Sequence, residues 1–226
     1  MIKALVFDFD GLILETELPI LLSWRELFGA HGLELPLEKW ALNIGTAEEA
    51  FDPILELECH LGRSLKNDPL LERRQQRELE MILGQEPLPG VVKTLQDARR
   101  LGLKIGLASS SSCQWVTGHL ERLGLIEYFD CIQAKDDVHR TKPDPALFRS
   151  AVEILGVLPW EAIAFEDSPN GILAAKRAGL YCVAVPNALT RKLDTSQADL
   201  QLESLDQMPL EALIQAIEAL SEPREA

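Results

Sequence analysis

Positive charge is scarce in this chain. Its 226 residues include 22 Lys and Arg against 36 Asp and Glu, which gives a formal net charge of −14. Nucleic acids and anionic membrane surfaces are bound through a basic face, so this balance argues against both kinds of partner. A phosphorylated small molecule would have to be held by a few local groups, because the overall field of the protein repels it.

Long apolar runs and clustered metal-binding side chains are missing as well. No apolar run approaches the roughly 18–20 residues of a membrane span, and the first residues enter a strand pattern at once, so we expect no signal peptide. The four cysteines show no CxxC spacing, and the four histidines are dispersed. This is typical of reduced, packed thiols in a cytosolic protein and argues against a His or Cys metal site. We expect a monomer in the cytoplasm.

The chain has instead four short polar segments between residues 8 and 168. In chain order they are Asp8-Phe9-Asp10-Gly11, Ser109-Ser110, Lys142-Pro143 and Glu166-Asp167-Ser168. Three of them end apolar runs of strand-like composition, and the Lys142 segment follows such a run by a loop. In an open parallel sheet, ligands bind at the carboxyl ends of the strands. The four segments should therefore converge on one point.

The charges at that point do not balance. Asp8, Asp10, Glu166 and Asp167 would bring together four negative charges, and Lys142 supplies one positive charge. Such a cluster repels itself unless a cation joins it. A hard divalent ion that prefers oxygen ligands, most simply Mg²⁺, would resolve the conflict and bind phosphate as well. The sequence therefore predicts a magnesium site.

Together the four segments resemble the haloacid dehalogenase superfamily of aspartate-nucleophile phosphotransferases, and within it the beta-phosphoglucomutase-like phosphatases. The resemblance runs from residue 1 to about residue 210. It implies an α/β, Rossmann-like core with a doubly wound parallel sheet, formed by residues 1–14 and 87–226, and an all-helical cap inserted at 15–86. The residue pattern agrees, because helical spacing without a strand signal fills 17–86, and strands and helices alternate from there on.

The resemblance implies a role for each acidic residue. Asp8 would attack phosphorus and form an aspartyl phosphate. Asp10 would act as general acid and then as general base; it favours phosphoryl transfer over dehalogenation, since the dehalogenases lack an acid there. Asp167 would bind Mg²⁺ with Asp8 and the Asp10 carbonyl, and Glu166 would bind it directly or through a water.

Phosphate binding is expected from two further segments. Ser109, through its hydroxyl and its amide, would donate to phosphate beside Ser110, near a helix N-terminus that is itself an anion site. Lys142 would neutralise the transferring phosphoryl group, on a segment that Pro143 and Pro145 stiffen.

The turn after the first strand also belongs to the expected site. The backbone amides from Gly11 to Ile13 should face the phosphoryl oxygens, with Thr16 supporting the turn. Glu15 stands where the family usually has Asp, at a position that orders the hinge of the cap.

The leading hypothesis is hydrolysis of a small phosphate monoester, such as a phosphorylated sugar or a related metabolite. A beta-phosphoglucomutase-type phosphomutase is the first alternative. The positions that carry a His and an Arg in family mutases appear here as Ile20 and Ala47, and neither side chain can bind a second phosphate or relay a proton. A non-catalytic phospho-acceptor of the receiver type is the second alternative, but receivers lack a cap and carry the acceptor Asp on a middle strand. Specificity should lie in the cap, around 17–24 and 43–48.

Overall fold

The computed structural model describes residues 1–40, 43 and 51–221. Its centre is a six-stranded, fully parallel sheet with the strand order β3-β2-β1-β4-β5-β6. The strands are β1 (Ala4–Phe7), β2 (Lys104–Ala108), β3 (Cys131–Gln133), β4 (Ala162–Glu166), β5 (Tyr181–Ala184) and β6 (Leu200–Gln201). The predicted strands are confirmed, and their ends lie within one or two residues of the ends of the apolar runs from which they were predicted.

Helices cover both faces of the sheet. On β1, Leu5 and Phe7 point into one buried cluster, while Ala4 and Val6 point into another. The first cluster packs against α5 (Val91–Arg100), α6 (Cys113–Arg122) and α9 (Leu210–Ser221), and the second against α7 (Ala146–Leu155) and α8 (Pro169–Ala178). A parallel sheet buried on both faces reads as continuous apolar runs, which is the pattern of the strands here. The predicted doubly wound core is confirmed.

The segment between β1 and α5 is helical. It contains α1 (Glu17–Ala30), α2 (Leu37–Trp40), α3 (Pro53–Leu61) and α4 (Pro69–Leu83). Asp52 and Asp68 cap the amino ends of α3 and α4 through their carboxylates, as is usual for Asp at this position. Among the described residues of this segment, none lies in a strand. Helical spacing in the sequence predicts helices near 38–42 and 48–61, and these are seen in part, since 41–42 and 44–50 lie outside the described residues.

These helices share a buried cluster of their own, separate from the two clusters at the sheet. Leu21, Trp24, Leu27 and Phe28 of α1 lie at its centre, and α1 packs mainly on α4. The helical cap is therefore confirmed as a unit of packing. Its limits at 14/15 and 86/87 stay a prediction.

The two chain crossings into the cap run side by side. Leu14 forms an antiparallel bridge with Pro87, and the Leu88 amide donates to the Ile13 carbonyl at 2.9 Å. The cap is therefore connected to the core by two adjacent chain segments next to the end of β1.

None of the described helices is both long and apolar enough to cross a lipid bilayer. The polar composition of 221–226 predicts a frayed tail, and this segment lies outside the described residues except for 221, the last residue of α9.

Strand register decides which side chains meet at the carboxyl edge. Phe7 is paired with Leu107 on one side and with Phe165 on the other. The next residue of each strand or loop is Asp8, Ala108 or Glu166, so Asp8 lies in the middle of the edge. Glu166 is the last residue of β4 rather than the first residue after it.

Candidate active site

A buried ammonium group joins two buried carboxylates at this edge. Lys142 Nζ donates to Asp8 Oδ1 and, at 2.5 Å, to Glu166 Oε1. Lys142 is 2% exposed, and Glu166 is fully buried. A second oxygen of Glu166 accepts from Ser168 Oγ at 3.2 Å and from the Asp167 amide at 3.2 Å. The Glu166 carboxylate is thus surrounded by donors from the loop between β4 and α8.

The cluster remains short of positive charge. Burial raises the pKa of Asp8 to about 8, against the attraction of Lys142. Burial, and next the charge of Asp8, raise the pKa of Asp167 well above its usual range. The carboxylates Asp8 and Glu166 raise the pKa of the Lys142 ammonium, although burial alone would lower it. The site therefore holds one firmly charged cation beside two acids, Asp8 and Asp167, that resist ionisation.

Three of the acids fit a hard divalent cation. Single carboxylate oxygens of Asp8, Glu166 and Asp167 all lie within 4.8 Å of one another, and all three residues are buried. They offer oxygen ligands only, which suits Mg²⁺, and a cation there would relieve the raised pKa values. Asn187 Nδ2 donates to Asp167 Oδ2 at 2.8 Å and to the Gly11 carbonyl at 3.3 Å. This amide holds Asp167 in place, as supporting residues around metal sites commonly do.

The side chain of Asp10 has a set of contacts different from those of the three acids. Its Oδ1 accepts from Thr16 Oγ1 at 2.7 Å and from Trp115 Nε1 at 3.0 Å. Its Oδ2 accepts from Ser111 Oγ at 2.6 Å, with Ser109 Oγ at 3.5 Å. The Asp10 side chain is therefore turned away from the three-acid group and is held by hydroxyls and an indole.

The serine run after β2 is partly committed to the fold. The Ser109 amide donates to the Gln133 carbonyl at 2.9 Å, so of its two predicted donors only the hydroxyl remains. Ser112 caps α6 by accepting from the Trp115 amide. The Ser110 hydroxyl is buried without a hydrogen-bond partner, and Ser110 lines the cavity described below. An unpaired buried hydroxyl of this kind is available to a ligand.

The turn after β1 differs from its expected use. The Gly11 amide donates to the Leu14 carbonyl at 2.8 Å, and the Leu12 and Ile13 amides donate to the Phe9 carbonyl. These amides are therefore bonded within the turn. Gly11 has a φ of 79°, and a Cβ there would lie 2.6 Å from Asp167 Oδ2. Glycine at this position allows the turn to pass close to the acidic group.

Thr16 and Glu15 connect the turn to the cap. Thr16 precedes α1, but its hydroxyl goes to Asp10 rather than to the helix amides. Glu15 Oε1 accepts from the Leu18 amide at 3.0 Å and so caps the helix instead. Because Glu is one methylene longer than Asp, the Glu15 carboxylate reaches the first turn of α1.

A cavity of about 480 Å³ lies between the core and the cap, above Asp8 and Asp10. The core side includes the serine run Ser109–Ser112, Trp115, Lys135 and Lys142, and the cap side includes Glu17, Ile20, Trp24, Trp40, Asn43, Asp52, Pro53 and Ile54. Burial, and next the charge of Asp10, raise the pKa of Glu17 to about 8. The cavity is large enough for a small metabolite.

Sequence reasoning missed several residues of this site. Asn187 could have been found, because it follows β5 at the same edge of the sheet where the predicted site residues follow their own strands. Ser111 lies inside the serine run, but nothing in the sequence singles it out from its neighbours. Trp115 carries no such signal, since it lies within a helix and its direction depends on packing. The loop prediction at 43–48, including Ala47, falls outside the described residues except for Asn43.

Comparison with known proteins agrees with this geometry. Residues 2–179 match the family described as haloacid dehalogenase-like hydrolase. The chain is 48% identical to Putative phosphatase YhcW of Bacillus subtilis, over 95% of this chain and 97% of that protein. It is 34% identical to the fructose-1-phosphate phosphatase YqaB of Escherichia coli, over 80% of this chain and 95% of that protein. The crystal structure of beta-phosphoglucomutase from Clostridium difficile superposes with a TM-score of 0.73 at 26% identity, covering 97% of this chain and 99% of that one.

Proposed function

This chain belongs to the haloacid dehalogenase-like hydrolase family, and we propose that it is a Mg²⁺-dependent phosphatase that hydrolyses sugar phosphates and similar small monoesters through an aspartyl phosphate on Asp8. The observation that carries the proposal is the position of Asp8. It lies at the middle of the sheet edge, beside the Lys142 ammonium, and faces the cavity between the core and the cap. A carboxylate so placed can meet a phosphoryl group while the cap limits the access of water.

The residues around Asp8 suit a two-step displacement. In the first step an oxygen of Asp8 attacks phosphorus, the bond from phosphorus to the alcohol oxygen breaks, and Asp10 gives its proton to the departing alkoxide. In the second step Asp10 takes a proton from water, the water oxygen attacks phosphorus, and Asp8 leaves as a carboxylate with inorganic phosphate as product. Lys142 offsets the negative charge throughout. Mg²⁺, held by Asp8, Glu166 and Asp167, would supply further positive charge to the phosphoryl oxygens.

Hydrolysis is favoured over the phosphomutase reaction by the cap wall of the cavity. A mutase has to retain a bisphosphate while it turns, which requires a cation at the distal phosphate. Ile20 lines the cavity at the position of the family's His. No described cap residue on this wall carries a positive charge, and residues 41–50 contain no Lys or Arg. The likeness to beta-phosphoglucomutase keeps the mutase as the second candidate.

The same wall supports an uncharged, hydroxyl-rich alcohol as the leaving group. Trp24, Trp40 and Pro53 present apolar surface to the cavity, and the carboxyls of Glu17 and Asp52 offer acceptors. A polyol has C–H faces that pack on such surfaces and hydroxyl groups that donate to carboxylates. A second anionic group on the substrate would instead approach these acids, which carry no neutralising cation from the described cap residues.

The proposal is tested by product analysis. With Mg²⁺, the protein should release inorganic phosphate from several small sugar and polyol phosphates, and EDTA should abolish this activity. Asp8→Asn should leave only background activity, and Asp10→Asn should lose about 10²–10⁴-fold, the usual worth of a general acid and base. Normal turnover by Asp8→Asn, or full activity in exhaustively chelated protein, would contradict the mechanism. A protein that took up phosphate once and kept it would be a phospho-acceptor.

A second assay separates hydrolase from mutase. Beta-glucose 1-phosphate is supplied with a trace of the 1,6-bisphosphate, and glucose 6-phosphate and inorganic phosphate are followed together. We expect inorganic phosphate to form faster. Glucose 6-phosphate forming much faster than inorganic phosphate would favour the mutase.

A further inference from the structure

Asp10 has an unusual set of donors. Its two carboxylate oxygens have different kinds of partner: Oδ2 faces the hydroxyls of Ser111 and Ser109, whereas Oδ1 faces the Thr16 hydroxyl and the indole N–H of Trp115. A hydroxyl can donate or accept a hydrogen bond, but an indole N–H can only donate. Trp115 is therefore the one partner in this set that cannot accept a proton from the Asp10 carboxyl.

The Trp115 indole is held in this position by the ring of His119, which packs in turn on Phe9. Trp115 is the third residue of α6, and His119, one turn further on, contacts it edge to face with ring centroids 4.4 Å apart. His119 is buried and lies 6.2 Å from the Phe9 ring, centroid to centroid. Burial, and next the charge of Arg122, lower the pKa of His119, so it packs as a neutral ring. The direction of the Trp115 N–H is thus set by packing rather than by the hydrogen bond alone.

We propose that Trp115 is a positioning residue for the acid step: its N–H keeps Oδ1 of Asp10 as an acceptor, so that Oδ2 is the oxygen that carries the proton to the leaving group. This inference rests on the proposed function, in which Asp10 protonates the departing alkoxide. When Oδ2 carries the proton, the Ser111 hydroxyl turns away and leaves that proton free to pass to the departing alkoxide, while the indole continues to donate to Oδ1. Without the indole, both oxygens face only hydroxyls, and the proton is no longer directed to one of them.

The test uses two substrates that differ in their need for an acid. Glycerol leaves glycerol 3-phosphate as an alkoxide, which requires a proton. The leaving group of p-nitrophenyl phosphate is a stable phenolate, which does not. Trp115→Phe keeps an aromatic ring against His119 and removes the N–H. We expect kcat/KM, which reports the first step and not the second, to fall about 10- to 100-fold for glycerol 3-phosphate, the worth of a hydrogen bond to a charged group, and to change by less than about threefold for p-nitrophenyl phosphate.

The ratio of the two kcat/KM values is the readout. Both are measured on the same sample, so the ratio does not depend on the fraction of the variant that is folded. A general loss of structure would lower both rates together, and an unchanged ratio in Trp115→Phe would overturn the inference. Trp160→Phe is the matched control, because Trp160 is 60% exposed and lies before β4, at the opposite edge of the sheet. This control should leave both rates unchanged.

Asp10→Asn separates failure of the inference from failure of the proposed function. If Asp10 is the acid, Asp10→Asn should lower kcat/KM for glycerol 3-phosphate far more than kcat/KM for p-nitrophenyl phosphate, whereas the loss of the base in the shared second step lowers kcat for both. Equal losses of kcat/KM on both substrates would remove the acid role itself. A selective loss in Asp10→Asn without one in Trp115→Phe would keep the proposed function and refute the part given to Trp115.

Discussion

The ammonium nitrogen of Lys142 lies 2.5 Å from Oε1 of Glu166, and neither side chain reaches solvent. Lys142 also binds Asp8, 134 residues earlier in the chain. A buried pair of this kind adds little stability relative to an apolar pair, but removing one partner leaves an uncompensated charge. The same contact that prepares Asp8 for a phosphoryl group in the proposed mechanism therefore makes the core dependent on one cation.

Lys142→Met should destabilise the protein strongly. Methionine fills a similar volume but leaves two buried carboxyls without their ammonium partner, so the free energy of unfolding in urea should fall by about 3–5 kcal/mol. Lys176→Met is the control, because Lys176 and Asp199 form a 2.5 Å pair that is partly open to solvent, at 31% and 21% exposure. That loss should be about 1 kcal/mol or less. Equal losses would show that burial does not govern the Lys142 cluster.

Gly171→Ala and Gly118→Ala should have opposite effects. Both glycines are in helices, but a Cβ at Gly171 would lie 1.9 Å from the carboxyl carbon of Glu166, whereas a Cβ at Gly118 meets nothing within 4 Å. Gly171→Ala should displace Glu166, lower the free energy of unfolding by about 1–3 kcal/mol and impair activity. Gly118→Ala should raise it by about 0.5–1 kcal/mol, because alanine favours a helix. Thermal unfolding measures both, and a neutral Gly171→Ala would mean that Glu166 has room to move.

The metal-free protein should lose stability as the pH rises from about 6.5 to 8. The pKa values of Asp8 and Glu17 are raised to about 8, from 3.8 and 4.5, and that of Asp167 is raised as well. The folded state therefore binds more protons than the unfolded state over this range, and stability falls with pH. The lowered pKa of His119 acts below this range. Melting temperatures in EDTA at several pH values measure the slope.

Magnesium should reverse this trend. Its ligands bind as carboxylates, so the rise in melting temperature on adding Mg²⁺ should be larger at pH 8 than at pH 6.5. Asp8→Asn should flatten the slope seen in EDTA, because one of the titrating groups is removed. A melting temperature in EDTA that rises over this range would contradict the prediction.

A second anionic group on the substrate should weaken turnover. Glycerol 3-phosphate and 3-phosphoglycerate have the same ester, but the latter carries a carboxylate that would approach Glu17 on the cap wall. We expect kcat/KM for 3-phosphoglycerate, measured above the raised pKa of Glu17, to be lower by about tenfold or more, since like charges brought together at a binding surface are costly. Glu17→Gln should reduce the difference in kcat/KM between the two substrates. Glu34→Gln, which changes a cap residue outside the cavity, should leave that difference unchanged. Preference for 3-phosphoglycerate would refute this account of the cavity.

Much of the architecture can be read from the order of apolar runs and the residues that end them. Apolar segments that alternate with helical spacing require a parallel sheet covered on both faces, and such a sheet brings Asp8, Ser109 and Glu166 to one edge. The convergence of these residues follows from strand ends alone, since neighbouring parallel strands finish at the same edge. The helical character of the cap follows from spacing in the same way.

The contacts of Asp10 follow a different rule. Its expected place among the converging acids came from its charge, and the family resemblance implied that it binds Mg²⁺ through its backbone carbonyl. Beyond the strand the chain turns at Gly11, so strand alternation no longer predicts where a side chain points. The structure turns Asp10 towards Thr16, Ser111 and Trp115, and two of these partners come from a segment about 100 residues later.

Sequence by itself therefore determined the sheet, the helical cap and the edge where the acidic residues meet, because periodicity and strand ends are local properties of the chain. Only the tertiary structure decided which acids face one another, which amides already donate hydrogen bonds within the fold, and that the Trp115 indole donates to Asp10. These depend on side-chain direction and on packing between distant segments, such as the His119 ring beneath Trp115, and no local pattern encodes them.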